Sequence, residues 1–206
     1  MSTGRLITIE GIDGAGKTTL ARGLEAALAG REVDVRLLRE PGGVTAAERV
    51  RALVKDPRLQ IGARAEALLY AAARAQLVEE AIMPLLDAGT WILLDRFVDS
   101  SLAYQGAARG LGIDAVAAIN EFATHGLRPD RTLLLTIDPQ LGRVRSHERA
   151  EGLDRLERER DEFFEAVAAG YETLLTRDPR RVRRIDASGS AEAVLAAALD
   201  ELADLL

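Results

Sequence analysis

The chain has 206 residues, with 27 basic and 33 acidic side chains for a formal net charge of −6, 48% apolar residues and no cysteine. That length fits one domain with a sizeable core, and the missing cysteine excludes disulfides, thiolate nucleophiles and cysteine-ligated zinc. The acidic balance argues against nucleic acid or anionic membrane as partners, and no apolar stretch reaches the length of a span or a signal-peptide core, so a soluble, cytoplasmic protein is expected.

Arg5-Leu-Ile-Thr-Ile-Glu10 is short, β-branched and almost continuously apolar, which predicts a strand buried on both faces. Segments of the same character follow at Val33 to Leu38, Trp91 to Asp95, Thr132 to Ile137 and Val182 to Ile185. Between them, alanine- and leucine-rich stretches with helical spacing run over about 17–29, 44–55, 63–87, 112–124, 157–176 and 190–205. Pro84 should kink or end the long third helix, because it has no backbone N–H to donate. Strands alternating with helices require parallel crossovers, so the expected fold is α/β, a five-stranded parallel sheet flanked by helices on both faces. From Arg143 to Arg160 charges crowd and apolar residues thin out, the composition expected of a lid.

The segment Gly11-Ile12-Asp13-Gly14-Ala15-Gly16-Lys17-Thr18 fits the phosphate-binding pattern G-x-x-x-x-G-K-[ST] and lies between a predicted strand and a predicted helix. Average residue usage makes a chance match on the order of 1% for a chain of this length. Glycines let backbone N–H groups converge on phosphate oxygens, and the helix N-terminus adds its positive dipole end. Lys17 brings a compact charge to the β and γ phosphates of ATP, and the Thr18 hydroxyl suits magnesium. Asp95 ends the third strand in the manner of a Walker-B acid and is the second expected magnesium ligand. On residues alone it is equally a helix N-cap.

An Asn-Lys-x-Asp guanine motif and a Leu-Ser-Gly-Gly transporter signature are both missing. What remains is a small phosphotransferase or a nucleotide-driven binding module. Three segments decide: Arg39-Glu-Pro-Gly-Gly43, Tyr70-Ala-Ala-Ala-Arg-Ala-Gln76, and Leu94-Asp-Arg-Phe-Val-Asp-Ser-Ser-Leu-Ala-Tyr-Gln-Gly106. Together with Arg109-Gly110, Arg128-Pro-Asp130 and Leu153-Asp-Arg-Leu-Glu157 they resemble the bacterial thymidylate kinases over nearly the whole chain. The resemblance implies one P-loop NTPase-type domain over residues 1–206 with a lid at about 141–156, a homodimer, and transfer of the ATP γ phosphate to dTMP with magnesium.

The same resemblance implies roles for particular residues. It places Tyr70 against the thymine ring and Arg74 at its O4, whereas on residues alone Tyr70 reads as core and Arg74 as a solvated charge. Arg96, with Arg51 as second contact, falls on the dTMP phosphate. Ser101 faces the edge of the base, Tyr104 crowds the 2′ position of the sugar, and Gln105 belongs to the same pocket. Asp13 reaches the 3′ hydroxyl, and Glu40 and Pro41 shape the loop beneath the acceptor. Members of this family carry a catalytic arginine in the P-loop or in the lid. Ile12, Asp13, Gly14 and Ala15 offer none, so the lid is expected to supply it, Arg155 ahead of Arg149. Alternating charge through the segment also fits an exposed, ion-paired helix. The loop Asp186 to Ser190 is the candidate for the adenine pocket. The enzymatic rival is a deoxynucleoside kinase of the same fold; the rival from another class is a non-catalytic switch.

Overall fold

The structure, a computed structural model, describes residues 4–147 and 154–206. Five strands form one sheet in the order β2-β3-β1-β4-β5, every neighbouring pair parallel. They are β1 (Leu6–Glu10), β2 (Val35–Arg39), β3 (Trp91–Asp95), β4 (Arg131–Thr136) and β5 (Val182–Asp186). The helices are α1 (Lys17–Ala29), α2 (Thr45–Lys55), α3 (Ala63–Leu77), α4 (Met83–Asp87), α5 (Val98–Ser101), α6 (Ile113–Thr124), α7 (Pro139–His147), α8 (Asp161–Arg177) and α9 (Ala191–Asp200).

Side chains alternate across the pleat, so consecutive apolar residues serve opposite faces. Ile7, Ile9 and Leu93 join one buried cluster with Leu24, Leu28 and Val167. Leu6, Ile92 and Leu94 join the other with Leu77, Ile82 and Phe97. That double burial is why β1 and β3 read as unbroken apolar runs.

The long third helix is modified as its proline requires. The α-helical ladder of α3 gives way to a wider π-helical segment at Val78–Ile82, and α4 resumes at Met83 with Pro84 in its first turn. There the missing N–H is one of the donors a helix start leaves unpaired. A second π-helical segment, Leu102–Ala108, continues α5. The expected helix at 157–176 starts four residues later, and the charged stretch before it includes helix α7.

The carboxyl ends of the strands deliver Gly11, Glu40 and Arg96 to one edge of the sheet, the edge at which parallel α/β folds bind ligands. The ladder runs past the strands to fix these turns: Glu40 N–H donates to Asp95 O at 2.9 Å and Arg96 N–H to Ile9 O at 3.1 Å.

Candidate active site

The turn from β1 to α1 bends through three glycines with positive φ, Gly11 at 136°, Gly14 at 81° and Gly16 at 95°, where a Cβ would strain the backbone. Lys17, at the start of α1, folds back over this loop and donates to Gly11 O at 3.1 Å and Ile12 O at 2.9 Å. Burial, reinforced by the nearby Arg96 cation, pulls its ammonium down to about 8. Beside it the Thr18 hydroxyl donates to Asp95 Oδ2 at 3.1 Å. Two hard oxygen donors thus sit side by side at the mouth of the phosphate loop, a set that suits magnesium, which takes one or two protein oxygens and completes its shell with phosphate and water.

Arg96 is the centre of the site. Its φ of 70° is unusual for a residue with a side chain and turns the guanidinium back over the P-loop. Nη1 donates to Gly11 O at 3.1 Å and Ser100 Oγ at 3.1 Å. Nη2 donates to Asp13 Oδ1 at 2.5 Å and to the Tyr104 hydroxyl at 3.3 Å, and the guanidinium carbon stands 5.1 Å from the centre of the Tyr104 ring. Burial opposes ionisation of Asp13, but the Arg96 and Lys17 cations outweigh it and hold its carboxyl at about 2. Tyr104 donates its hydroxyl to Asp13 Oδ2 at 3.2 Å.

Beneath Arg96 lies a residue that no motif announced. Glu10 is fully buried and accepts from Phe97 N at 2.7 Å, Ser100 Oγ at 2.6 Å and the Tyr171 hydroxyl at 2.9 Å. Burial and the negative charge of Asp99 push its carboxyl up. It pins the start of α5 to the end of β1, and so sets the turn that carries Arg96.

The acceptor side is built on α3. Arg74 is 2% exposed and makes four hydrogen bonds and an ion pair. Nε donates to Glu40 Oε2 at 2.7 Å, Nη1 to Ser101 Oγ at 3.1 Å and to Asn120 Oδ1, and Nη2 to Phe97 O at 2.9 Å while pairing with Glu40 Oε2 at 2.6 Å. Burial lifts the Glu40 carboxyl to about 7, and its Oε1 has no partner. Arg51 braces the same loop by donating to Pro41 O at 2.8 Å.

One cavity of about 760 Å³ joins these parts. Its walls include Asp13, Gly14, Gly16, Lys17, Thr18 and Asp95 of the phosphate loop and its neighbour strand. They also include Glu40, Pro41, Arg51, Tyr70, Arg74, Arg96, Ser101, Tyr104 and Gln105, with Arg96 and Tyr104 touching Asp13 where the two sets meet. Every residue expected to touch the acceptor therefore lines one space. Gly11 serves through its carbonyl oxygen, and the buried side chains of Ile12 and Ala15 stabilise the loop from the core. A smaller cleft of about 350 Å³ continues past Gly14, Ala15 and Gly16 to Arg145, Ala187 and Gly189, reaching the loop expected to hold adenine.

Arg155 stands elsewhere. Its side chain is 10% exposed, Nη2 lies 2.6 Å from Glu66 Oε2, and Nε donates to Val54 O at 2.8 Å. Its guanidinium is turned into the wall behind the acceptor rim, and the structure does not bring it to the P-loop. The reason is electrostatic: Glu66 is a fully buried carboxylate that needs cations, and Arg155 is, with Arg109, one of the two among the described residues that reach it. Arg149 lies outside the described residues, as does the middle of the expected lid at 141–156, residues 148–153. The front of that segment is no free flap. A Cβ on Gly142 would meet Asp13 O at 2.8 Å and Ile12 Cδ1 at 3.0 Å, so α7 rests on the P-loop itself.

A parallel sheet with a glycine-rich cradle, a Thr18/Asp95 oxygen pair and an arginine-gripped second pocket defines a P-loop nucleotide kinase. The thymidylate kinase family model matches residues 9–198. A thymidylate kinase of Alkalilimnicola ehrlichii is 44% identical over 98% of this chain and 94% of its own length, and one of Halalkalibacterium halodurans is 45% identical over 97% and 96%. The crystal structure of thymidylate kinase from Ehrlichia chaffeensis superposes with a TM-score of 0.81 at 27% identity, covering 98% of this chain and 99% of that one. The chain belongs to the thymidylate kinase family.

Proposed function

We propose that this protein transfers the γ phosphate of ATP to dTMP, giving ADP and dTDP, by direct in-line attack of an acceptor phosphate oxygen. The observation that carries this reading is the single cavity lined both by Lys17 of the P-loop and by Arg96, Arg51 and Tyr70. A phosphorylated acceptor offers an anion to Arg51 and to Arg96, which would otherwise stay on Asp13, where a neutral nucleoside offers none.

Phosphoryl transfer requires alignment and charge neutralisation more than covalent chemistry. The P-loop amides and Lys17 hold the donor phosphates. Arg96 trades Asp13 for the acceptor phosphate, and Asp13, thereby released, accepts from the 3′ hydroxyl of the sugar. Tyr70 packs on the thymine ring, with Ser101 and Gln105 at its edge and Tyr104 against the 2′ carbon. Arg74, its donors already engaged, presents a fixed positive wall toward O4. No general base is required, because the attacking phosphate is already anionic. Thr18 and Asp95 would hold magnesium, which when bound neutralises charge on the transferring phosphate. The remaining cation is expected from the lid, and Arg155 would have to leave Glu66 to provide it.

The second cleft takes the adenine, with the small residues Ala187 and Gly189 beneath it and Arg145, which donates to Ala187 O at 3.3 Å, at its side. A cytoplasmic homodimer completes the reading. Leu68 on α3 and Phe122 on the neighbouring α6 are 56% and 86% exposed, apolar surface that a second copy would cover. No helix among the described residues is long and apolar enough to cross a membrane.

A coupled assay of ADP release with dTMP, dUMP, thymidine, CMP and AMP tests the reading. dTMP is expected to be preferred over dUMP by about tenfold to a hundredfold, since one methyl group is worth about 1 to 3 kcal/mol in a pocket. Absence of dTMP-dependent ADP release would sink it, and thymidine outpacing dTMP would make the protein a nucleoside kinase.

A further inference from the structure

Glu66 belongs to no motif, yet its side chain is 0% exposed and meets two guanidinium groups, Arg109 and Arg155. It lies one turn before Tyr70 on α3, as Tyr70 lies one turn before Arg74, so the three share a helix face. Gln105 Nε2 donates to its Oε1 at 2.9 Å. Arg109 donates to Oε1 through Nε and to Oε2 through Nη2, both at 3.3 Å, and Arg155 Nη2 stands 2.6 Å from Oε2.

Each partner brings a different piece of the chain. Gln105 and Arg109 come from the π-helical segment and its end, and Arg109 also pairs with Glu159 at 2.7 Å. Arg155 comes from the turn at 154–160. That turn is further tied to the end of α2: the Arg155 N–H donates to Lys55 O at 3.3 Å and Lys55 Nζ pairs with Asp154 at 2.7 Å. The residues so bound together, Lys55, Tyr70, Gln105, Asp154, Leu156 and Glu157, are rim residues of the main cavity.

We propose that Glu66 is a positioning residue which clamps the 154–160 turn and Gln105 onto α3 and thereby fixes the rim of the acceptor pocket. This rests on the reading above of which end takes dTMP. Two guanidinium groups face one buried carboxylate, with Glu159 supplying the second negative charge. Neutralising Glu66 leaves an excess cation in a desolvated cluster, and the turn, which keeps its ties to Val54, Lys55 and Arg109 but loses the buried carboxylate that seats Arg155, is the piece that loosens. Arg155 then acts first as an anchor, and its departure toward the donor phosphates would loosen the rim, so that lid closure and acceptor retention are linked.

The test is steady-state kinetics on Glu66→Gln and Arg155→Met against the wild type, with both substrates varied, together with hydrogen exchange of the 154–160 amides. Glu66→Gln retains the shape and offers an N–H to an arginine in place of an oxygen. Its expected signature is a rise of about tenfold or more in KM for dTMP, with KM for ATP within about twofold and exchange at 154–160 about tenfold faster. Arg155→Met should reproduce the dTMP effect from the other side of the ion pair, and the double variant should be no worse than Glu66→Gln in KM for dTMP. If kcat falls with KM for dTMP and the 154–160 exchange unchanged, Glu66 is merely structural and the proposal is overturned. If Glu66→Gln does not fold, Arg155→Met alone decides by the same two readouts. Should the wild type prefer another acceptor, the function proposed above fails, and the comparison, made on that acceptor, still decides the role of Glu66; a wild type that uses none overturns both.

Discussion

Arg96 donates to Asp13 at 2.5 Å across the mouth of the P-loop, so the residue assigned to the acceptor phosphate and the residue assigned to the acceptor sugar hold each other. The pair keeps a cation and an anion compensated, and each becomes available when the other is claimed by substrate. Asp13→Asn removes the anion while retaining an oxygen acceptor. A hydrogen bond to a charged group contributes about 1.5 to 3 kcal/mol, so kcat/KM for dTMP should fall about tenfold or more. The fall should be much smaller for 3′-deoxythymidine monophosphate, which has no hydroxyl to donate. Equal losses for the two acceptors would remove Asp13 from sugar recognition.

Lys17 sets a pH limit on the donor side. Burial and the Arg96 charge lower its ammonium to about 8, so a sizeable fraction is neutral at pH 8 in the free protein. ATP brings several negative charges to the same point and favours the charged form. Binding should therefore take up about half a proton at pH 8, an amount that shrinks toward pH 7. Calorimetry in buffers of different ionisation enthalpy measures this directly. The apparent affinity for ATP should weaken as pH rises through about 8, and a flat profile from pH 7 to 9.5 would contradict the assignment.

Much of this was legible in the sequence, for reasons that differ by element. β1 and β3 announce themselves because burial on both faces makes them apolar almost throughout, with only Thr8 and the end residues Glu10 and Asp95 polar, and the P-loop because its glycines sit where the backbone has positive φ. The π-helical segments at Val78–Ile82 and Leu102–Ala108 leave no such trace, since the same residues are at home in an ordinary helix. Glu10, Glu66 and Asn120 act through partners 39 to 161 positions away, as in Glu66 with Gln105 or Glu10 with Tyr171, and a single polar residue on an apolar element does not say whom it will meet. The one available sign was the four-residue spacing of Glu66, Tyr70 and Arg74 on an alanine-rich helix. Arg155 shows the complementary limit: its motif carried no information about where the fork turns, and the fork turns to Glu66 and Val54.

Arg74 should be worth more to stability than a surface charge. Arg74→Ala leaves Glu40 buried with no cation, a change that costs about 3 to 5 kcal/mol. In a chain of this size that lowers the melting temperature by about 10 °C. The loss should depend on pH. In the folded wild type burial already raises Glu40 to about 7, above its unfolded value of 4.5, so its contribution is full below 4.5 and fades as pH rises to 7. Without Arg74, whose charge opposes that rise, the folded value climbs further and the fading extends past neutrality. The gap in melting temperature between variant and wild type should therefore widen from pH 6 to pH 8. A constant gap would mean that the carboxylate finds another cation.

Asp95→Asn separates a metal role of this residue from its hydrogen bond with Thr18; it does not cap α5, whose N-cap is Phe97. Asparagine keeps an oxygen that can accept from Thr18, as Asp95 Oδ2 does at 3.1 Å, so the local hydrogen bond and the start of the following turn survive. What it loses is the charge that a divalent ion requires. If Thr18 and Asp95 form the magnesium site, the magnesium concentration for half-maximal velocity should rise about tenfold or more, while KM for dTMP stays within about twofold. Chelation should abolish transfer in the wild type, and added magnesium should restore it. An Asp95→Asn protein with unchanged magnesium dependence would assign Asp95 to the turn alone and leave Thr18 to bind the ion through the substrate phosphates.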